Sequence, residues 1–106
     1  MATTEQVVDV GVDFTRFPAG RTLSDGPYCG AVFRDRFLRP RLDKGESVMV
    51  KLDSALGYGS SFLEEAFGGL IRLKYPKDKV LSLVKLETSD ALLIEEIKGY
   101  IENAKP

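Results

Sequence analysis

The feature that most constrains the fold is a strand-like run over residues 47–53 that passes, through the glycine turn Gly57-Tyr-Gly59, into a helical pattern. In the run, Val48, Val50 and Leu52 alternate with Met49, the period of a strand with one apolar face. Beyond the turn, Phe62, Leu63, Ala66, Phe67, Leu70 and Ile71 recur at helical spacing, which predicts a helix over about 61–74. A strand that turns into an amphipathic helix is half of a βαβ unit, and such units build a largely parallel sheet with right-handed crossovers.

The remaining segments fit that plan. Val8, Val10, Val12 and Phe14 alternate with Asp9, Gly11 and Asp13, which predicts a half-buried strand. Phe17-Pro-Ala-Gly-Arg21 reads as a turn, and residues 21–23 as a short returning strand that adds an antiparallel pair. Ser24-Asp-Gly-Pro27 introduces a helix over about 28–39, with Cys29, Val32, Phe33, Phe37 and Leu38 as its buried stripe and Pro40 ending or kinking it. Residues 79–87, rich in Val and Leu, predict a third core strand, and Thr88-Ser-Asp90 starts a last helix carrying Leu93, Ile94, Ile97, Tyr100 and Ile101 inward. The expectation is one α/β domain over residues 1–106, with a mixed, mostly parallel four-stranded sheet, about three helices and the order β-β-α-β-α-β-α. Gly68-Gly69 inside the second helix costs roughly 1 kcal/mol per glycine relative to alanine, which points to a close backbone approach there.

Composition narrows the chemistry. The chain has no histidine and one cysteine, Cys29, so His-based acid–base catalysis, thiolate metal clusters and an intrachain disulfide all fall away. Cys29 reads as a small buried residue. Arg34, Arg36, Arg39 and Arg41 form the densest basic run but read as a solvated helix face, and 15 basic residues against 16 acidic ones do not suit nucleic-acid binding. Phosphate-loop and dinucleotide glycine patterns are absent, so no cofactor is expected. Glu64 and Glu65, adjacent on a helix, diverge by about 100° and do not converge on one substrate atom. Asp53, at a strand end, lacks a base or metal partner. These observations predict a chain that is not an enzyme. The start Met-Ala-Thr-Thr-Glu-Gln has no signal-peptide pattern and no run is long enough to span a membrane, which makes a cytoplasmic protein the expectation.

With the element order and the strand–Gly-Tyr-Gly-Ser-Ser–helix turn in place, the chain resembles the STAS domain, found in sulfate transporters and anti-sigma factor antagonists. It is most similar to a bacterial STAS-like family of undefined function. The resemblance is carried by Phe17-Pro-Ala-Gly-Arg21, Ser24-Asp-Gly-Pro27, Gly30, Phe33-Arg34 and, most specifically, the block from Gly57-Tyr-Gly-Ser-Ser-Phe to Gly69. It implies a regulatory, protein-binding module. In the antagonists, a serine that opens a helix after a central strand is phosphorylated by a histidine-kinase-like ATP-binding anti-sigma partner. That position falls on Ser60, although Gly59 stands where the antagonists carry aspartate.

On the residues themselves, Ser61 and Glu64 fit a capping box, with Ser60 just outside the helix. Tyr58, Gly59, Ser60, Ser61 and Glu65 are the candidate partner contacts. Arg21, Ser24 and Asp25 form a second polar cluster, read either as an anion site at the start of the first helix or as a loop held by Arg21 pairing with Asp25 or Asp53. The alternatives to a partner-switching module are a small anionic ligand or nucleotide binder using loops 21–25 and 57–61, or a mobile-element accessory protein acting on a host complex. The edge strand over 7–14 leaves a homodimer open.

Overall fold

The alternating valines build the sheet, but over shorter runs than their pattern predicts. The computed structural model describes residues 6–106, so the leader reading of the first residues and the first five positions of the expected domain lie outside the described part. Strands β1 (Gln6–Asp9), β2 (Val48–Lys51) and β3 (Val84–Glu87) lie in that order, and both neighbouring pairs are parallel. Val8 stands opposite Val50, and Val50 opposite Leu86. The sheet therefore has three strands among the described residues, not four, and no antiparallel pair.

The missing strand has a local cause. The backbone carbonyls of Gly20 and Arg21 accept from the N–H groups of Gly30 and Ala31 at 3.0 and 3.1 Å, so residues 20–21 satisfy a helix start rather than a strand ladder. Leu23–Asp25 then forms a 3₁₀ turn. The first strand ends at Asp9 instead of reaching Phe14, because residues Val10–Phe14 wrap into one wide turn closed by the Thr15 N–H on the Val10 carbonyl. Gly11 permits this: a Cβ there would collide with the Ser54 backbone. The turn leaves Val12 exposed and swings Phe14 into an aromatic cluster, 5.5 Å from the rings of both Tyr28 and Phe33 and 5.7 Å from that of Phe37.

Among the described residues, four helices accompany the strands. Helix α1 spans residues 30–43 as Gly30–Phe33, a wide i→i+5 stretch Arg34–Leu38, and Arg39–Asp43. It passes through Pro40 instead of stopping there, because the wide stretch ahead of the ring relieves the usual clash with the preceding turn. Helix α2 spans 60–72, again with a wide stretch, Glu64–Gly68. Helix α3 (Lys77–Leu83) occupies most of the segment expected to be strand, and β3 begins only at Val84. Within this helix Val80 is buried while its neighbours Lys79 and Leu81 are not, and a start at Pro76 suits a helix as well as a turn. Helix α4 (Ala91–Asn103) closes the chain, capped by the Asp90 carboxylate on the N–H groups of Leu92 and Leu93. The order is thus β-α-β-α-α-β-α.

One face of the sheet supplies the core. Val8, Val48, Val50 and Val84 pack there with Phe33 and Leu42 of α1, Phe62 and Phe67 of α2, Val80 of α3, and Ile97 and Ile101 of α4. No described helix covers the other face: Val7 is 58% exposed, and Asp9, Lys51 and Glu87 cross it in register. All-parallel sheets are usually covered on both sides. Here the alternating signs of that polar row suit it to water.

Close approach of the helices depends on glycine. A Cβ at Gly30 would run into the Phe62 carbonyl of α2; one at Gly68 would lie 3.0 Å from the Tyr100 carbonyl of α4, and one at Gly69 would lie 2.7 Å from the Arg34 guanidinium. We expect Gly30→Ala to lower stability by about 1–3 kcal/mol through the strain of separating α1 from α2. Lys74 adopts φ 79° at the end of α2, where its N–H bonds the Ile71 carbonyl and the Tyr75 N–H bonds the Leu70 carbonyl. Lys74→Gly is expected to raise stability by about 1 kcal/mol. Urea unfolding midpoints of the two variants check both signs.

Candidate functional site

The start of α2 is built differently from a capping box. Gly59, in extended conformation, holds the N-cap position, and Ser60 and Ser61 are the first two helical residues. Neither hydroxyl caps the helix, and both serines are solvent-exposed. Ser61 is thus not the cap that its spacing to Glu64 suggests. The physical reason is competition: the Glu64 carboxylate binds Arg21 and, at 2.7 and 2.9 Å, Arg72, two cations that outcompete the weak donor of a cap backbone.

Glu64 and Glu65 belong to a cluster of five charges, contrary to the expectation that they diverge. Arg21 Nη1 donates to both carboxylates, Arg72 also reaches both, and Arg34 Nη1 donates to Glu65 Oε2 at 2.5 Å. The wide stretch of α2 begins at Glu64, and two long arginines converge from either side. Arg34 is 9% exposed and also pairs with Asp35 at 2.9 Å, so the first residue of the basic run is a buried structural cation. The others are not a simple solvated face either. Arg36 lies 5.6 Å over the Phe14 ring, and Arg39 contacts Asp35 and the Tyr75 hydroxyl.

The second predicted cluster is a self-contained loop. Asp25 accepts the backbone N–H groups of Arg21 and Thr22 at 2.9 and 3.2 Å, which hold its carboxyl below the usual carboxylate range. Ser24 Oγ lies 2.9 Å from Thr22 Oγ1. The Arg21 guanidinium points to Glu64 and Glu65, not to Asp25 or Asp53. With the N–H groups of Gly30 and Ala31 already satisfied by loop carbonyls, the start of α1 is not arranged as an anion site. Cys29 is fully buried, as its sequence context predicts.

At the carboxyl ends of β2 and β3 lies a cleft of about 520 Å³, lined by Asp53, Leu56, Tyr58, Asp90, Leu93 and Glu96 among others. Open parallel sheets present their ligand surfaces at this end. Asp53 ties its two walls together by accepting from the Thr88 hydroxyl at 2.5 Å and from the Ser89 N–H at 3.0 Å; the Thr88 bond foremost depresses its pKa. Tyr58 leans into the fold, its hydroxyl donating to the Leu52 carbonyl at 2.7 Å, and burial pushes its pKa up. Of the predicted contact residues, Tyr58 lines this cleft and Ser60 and Ser61 lie beyond it at the head of α2; sequence reasoning gave no contact role to Leu56, 62% exposed in the cleft lining, or to Phe17, 68% exposed on the turn after β1. Their signal was available: each is a large apolar residue stranded in a Pro- or Gly-containing turn, outside every periodic stripe. Among the described residues, no group of three or more acidic, Cys or His side chains is gathered to hold a metal ion. No helix there is long and apolar enough to cross a membrane.

The family described as a STAS-like domain of unknown function matches residues 29–91, a span that runs from the start of α1 to the start of α4. No curated protein and no solved structure matches the chain.

The charge cluster makes a stability forecast with a definite sign. Hydrogen bonds from Arg72 and then Arg21 hold Glu64 below its usual range; burial pushes Glu65 up, but Arg34 and Arg21 outweigh it and the net shift is downward. Carboxylates with depressed folded-state pKa values contribute stability that is complete above about pH 4.5 and disappears as pH falls through their folded values. At neutral pH, Arg34→Met is expected to cost about 2 kcal/mol by removing the most buried partner of Glu65 and leaving that carboxylate only its longer contacts, at 3.1 Å, to Arg21 and Arg72. Arg21→Gln, with its side chain 43% exposed, should cost under about 1 kcal/mol. Arg34→Met should also show a shallower loss of stability between about pH 5 and pH 3. Equal costs for the two substitutions in urea titrations would contradict this division.

Proposed function

Because the chain belongs to the STAS-like domain family of unknown function, we propose that it is a non-enzymatic regulatory module that binds another protein through the 57–61 loop and the exposed side of α2. The observation that carries this reading is the state of Ser60. It opens the helix, is solvent-exposed and has no capping duty, so its hydroxyl is available to a macromolecule. Ser61, Gly59 and Tyr58 flank it on the same loop, and Glu65 follows one turn after Ser61.

By resemblance to the antagonists, the partner is a histidine-kinase-like ATP-binding protein, and Ser60 is the switch. A phosphate would add a charge of about −1.5 to −2 at the positive end of α2. Glu64, one turn along, would oppose it, but Arg21 and Arg72 already offset that carboxylate. The new charge would therefore be tolerated by the fold and felt mainly by whatever is docked on the loop. The small-ligand alternative draws less support, since Arg21 is engaged by glutamates and the backbone donors at the start of α1 are taken.

Incubation with such a kinase and ATP, followed by mass spectrometry, should place one phosphate on Ser60 and none on Ser60→Ala. Ser60→Glu should weaken the complex by about tenfold or more, or about 1.4 kcal/mol, with an unchanged unfolding midpoint. An unmodified Ser60 together with full binding by Ser60→Glu would remove the switch.

A further inference from the structure

The formal net charge of −1 hides a local imbalance. The lining of the cleft at the carboxyl ends of β2 and β3 contains three charged side chains, Asp53, Asp90 and Glu96, and all are acidic. At the other end of the sheet the charges are mixed: Arg41 and Lys44 at the end of α1 stand with Asp43 and Glu46, and Lys74 and Lys77 with Asp78. The acidic cleft is also not purely polar. Leu56 and Leu93 line it, and Leu56 carries it onward into an exposed apolar patch. The Leu56 N–H donates to the Arg16 carbonyl at 2.8 Å, which puts Leu56 beside Phe17; Ala19, two residues on, lies against Gly59 and bonds the Tyr28 carbonyl at 3.3 Å. Phe17, Leu56 and the half-exposed Tyr28 thus form apolar surface around the loop that leads to Ser60.

Phe17 and Leu56, both exposed and brought near each other by the Arg16–Leu56 backbone bond, flank a groove whose charged lining is acidic, and large apolar side chains grouped in solvent in this way mark a contact site. We infer that this surface receives a basic amphipathic segment of a partner protein, its apolar side chains on Phe17 and Leu56 and its Lys or Arg side chains over Asp53, Asp90 and Glu96. The charge complementarity selects this occupant. An acidic segment or an anionic lipid surface would be repelled, and a second copy, whose opposite end carries Leu73 and an apolar hollow between Lys74 and Lys77, would show itself as a concentration-dependent dimer of the free chain, which would also overturn the inference. The inference rests on the reading of the 57–61 loop as a protein-binding surface and names the chemistry that the partner brings to it.

The test is an ¹⁵N NMR titration of the full chain with a synthetic peptide of leucine and lysine at helical spacing, beside the same peptide with glutamate for lysine. The lysine peptide should shift amides of 16–19, 28, 56–58 and 88–96 and leave 39–44 and 74–77 still. Leu56→Lys, which replaces an exposed side chain, should weaken that binding by about tenfold or more, and Glu96→Gln should lower its salt dependence. Equal binding of the glutamate peptide, shifts centred on the opposite end, shifts only with neutral phospholipid vesicles, or unchanged binding by Leu56→Lys would each overturn the inference. A cellular partner that Ser60→Glu displaces, found while the lysine peptide fails, would leave the loop reading standing and remove only the basic occupant.

Discussion

The arrangement depends on how closely α1 and α2 lie against each other. Gly30 brings the α1 backbone onto the Phe62 carbonyl, and Gly69 gives the Arg34 guanidinium room to lie on α2 and reach Glu65. A buried cation is costly unless its partners are fixed, and here they are fixed by both helices at once. That crossing locks the direction of α2, and the direction of α2 decides where its first residues stand. The exposed serines are therefore a consequence of a contact that starts beside them at Phe62 and runs on to Gly69.

The same cluster explains why a surface loop is well placed. Arg21 sits on the loop between β1 and α1 and extends to Glu64 and Glu65, while the Gly20 and Arg21 carbonyls cap α1. The loop thus bridges both helices and holds the Phe17–Ala19 segment against Gly59. The proposed contact surface is assembled from pieces far apart in the chain, the turn after β1, the turn after β2 and the start of α4, and each is pinned by polar bonds of its own. Such a site on a rigid frame suits recognition, because little conformational entropy is left to lose on docking.

Much of the fold was legible because the signals were local. Valine alternation located β1 and β2, a Val- and Leu-rich run located β3 within a longer span, and the stripes Phe62–Ile71 and Leu93–Ile101 located the two longest core faces. The misses share one cause, that a short segment's conformation is chosen by what it packs on. Val12 and Phe14 continue the strand pattern, yet β2 ends at Lys51 and offers them no ladder, while an aromatic pocket does accept Phe14. Residues 79–83 have strand-like composition, but a start at Pro76 and the burial of Val80 make them helix. The Ser61–Glu64 spacing is a sound capping signal that two arginines from elsewhere in the sequence override.

The sequence by itself determined the α/β class, the parallel βαβ plan, the absence of histidine chemistry and the presence of a serine pair at the head of the second helix, because each follows from composition or from periodicity within a dozen residues. Only the tertiary structure decided that the sheet has three strands among the described residues, that Glu64 and Glu65 converge on shared arginines, and that Phe17 and Leu56 stand near each other beside a cleft with acidic lining. Those outcomes depend on distances between residues tens of positions apart. No local pattern encodes them; they are set by which faces can be buried together without leaving a charge or a backbone group unsatisfied.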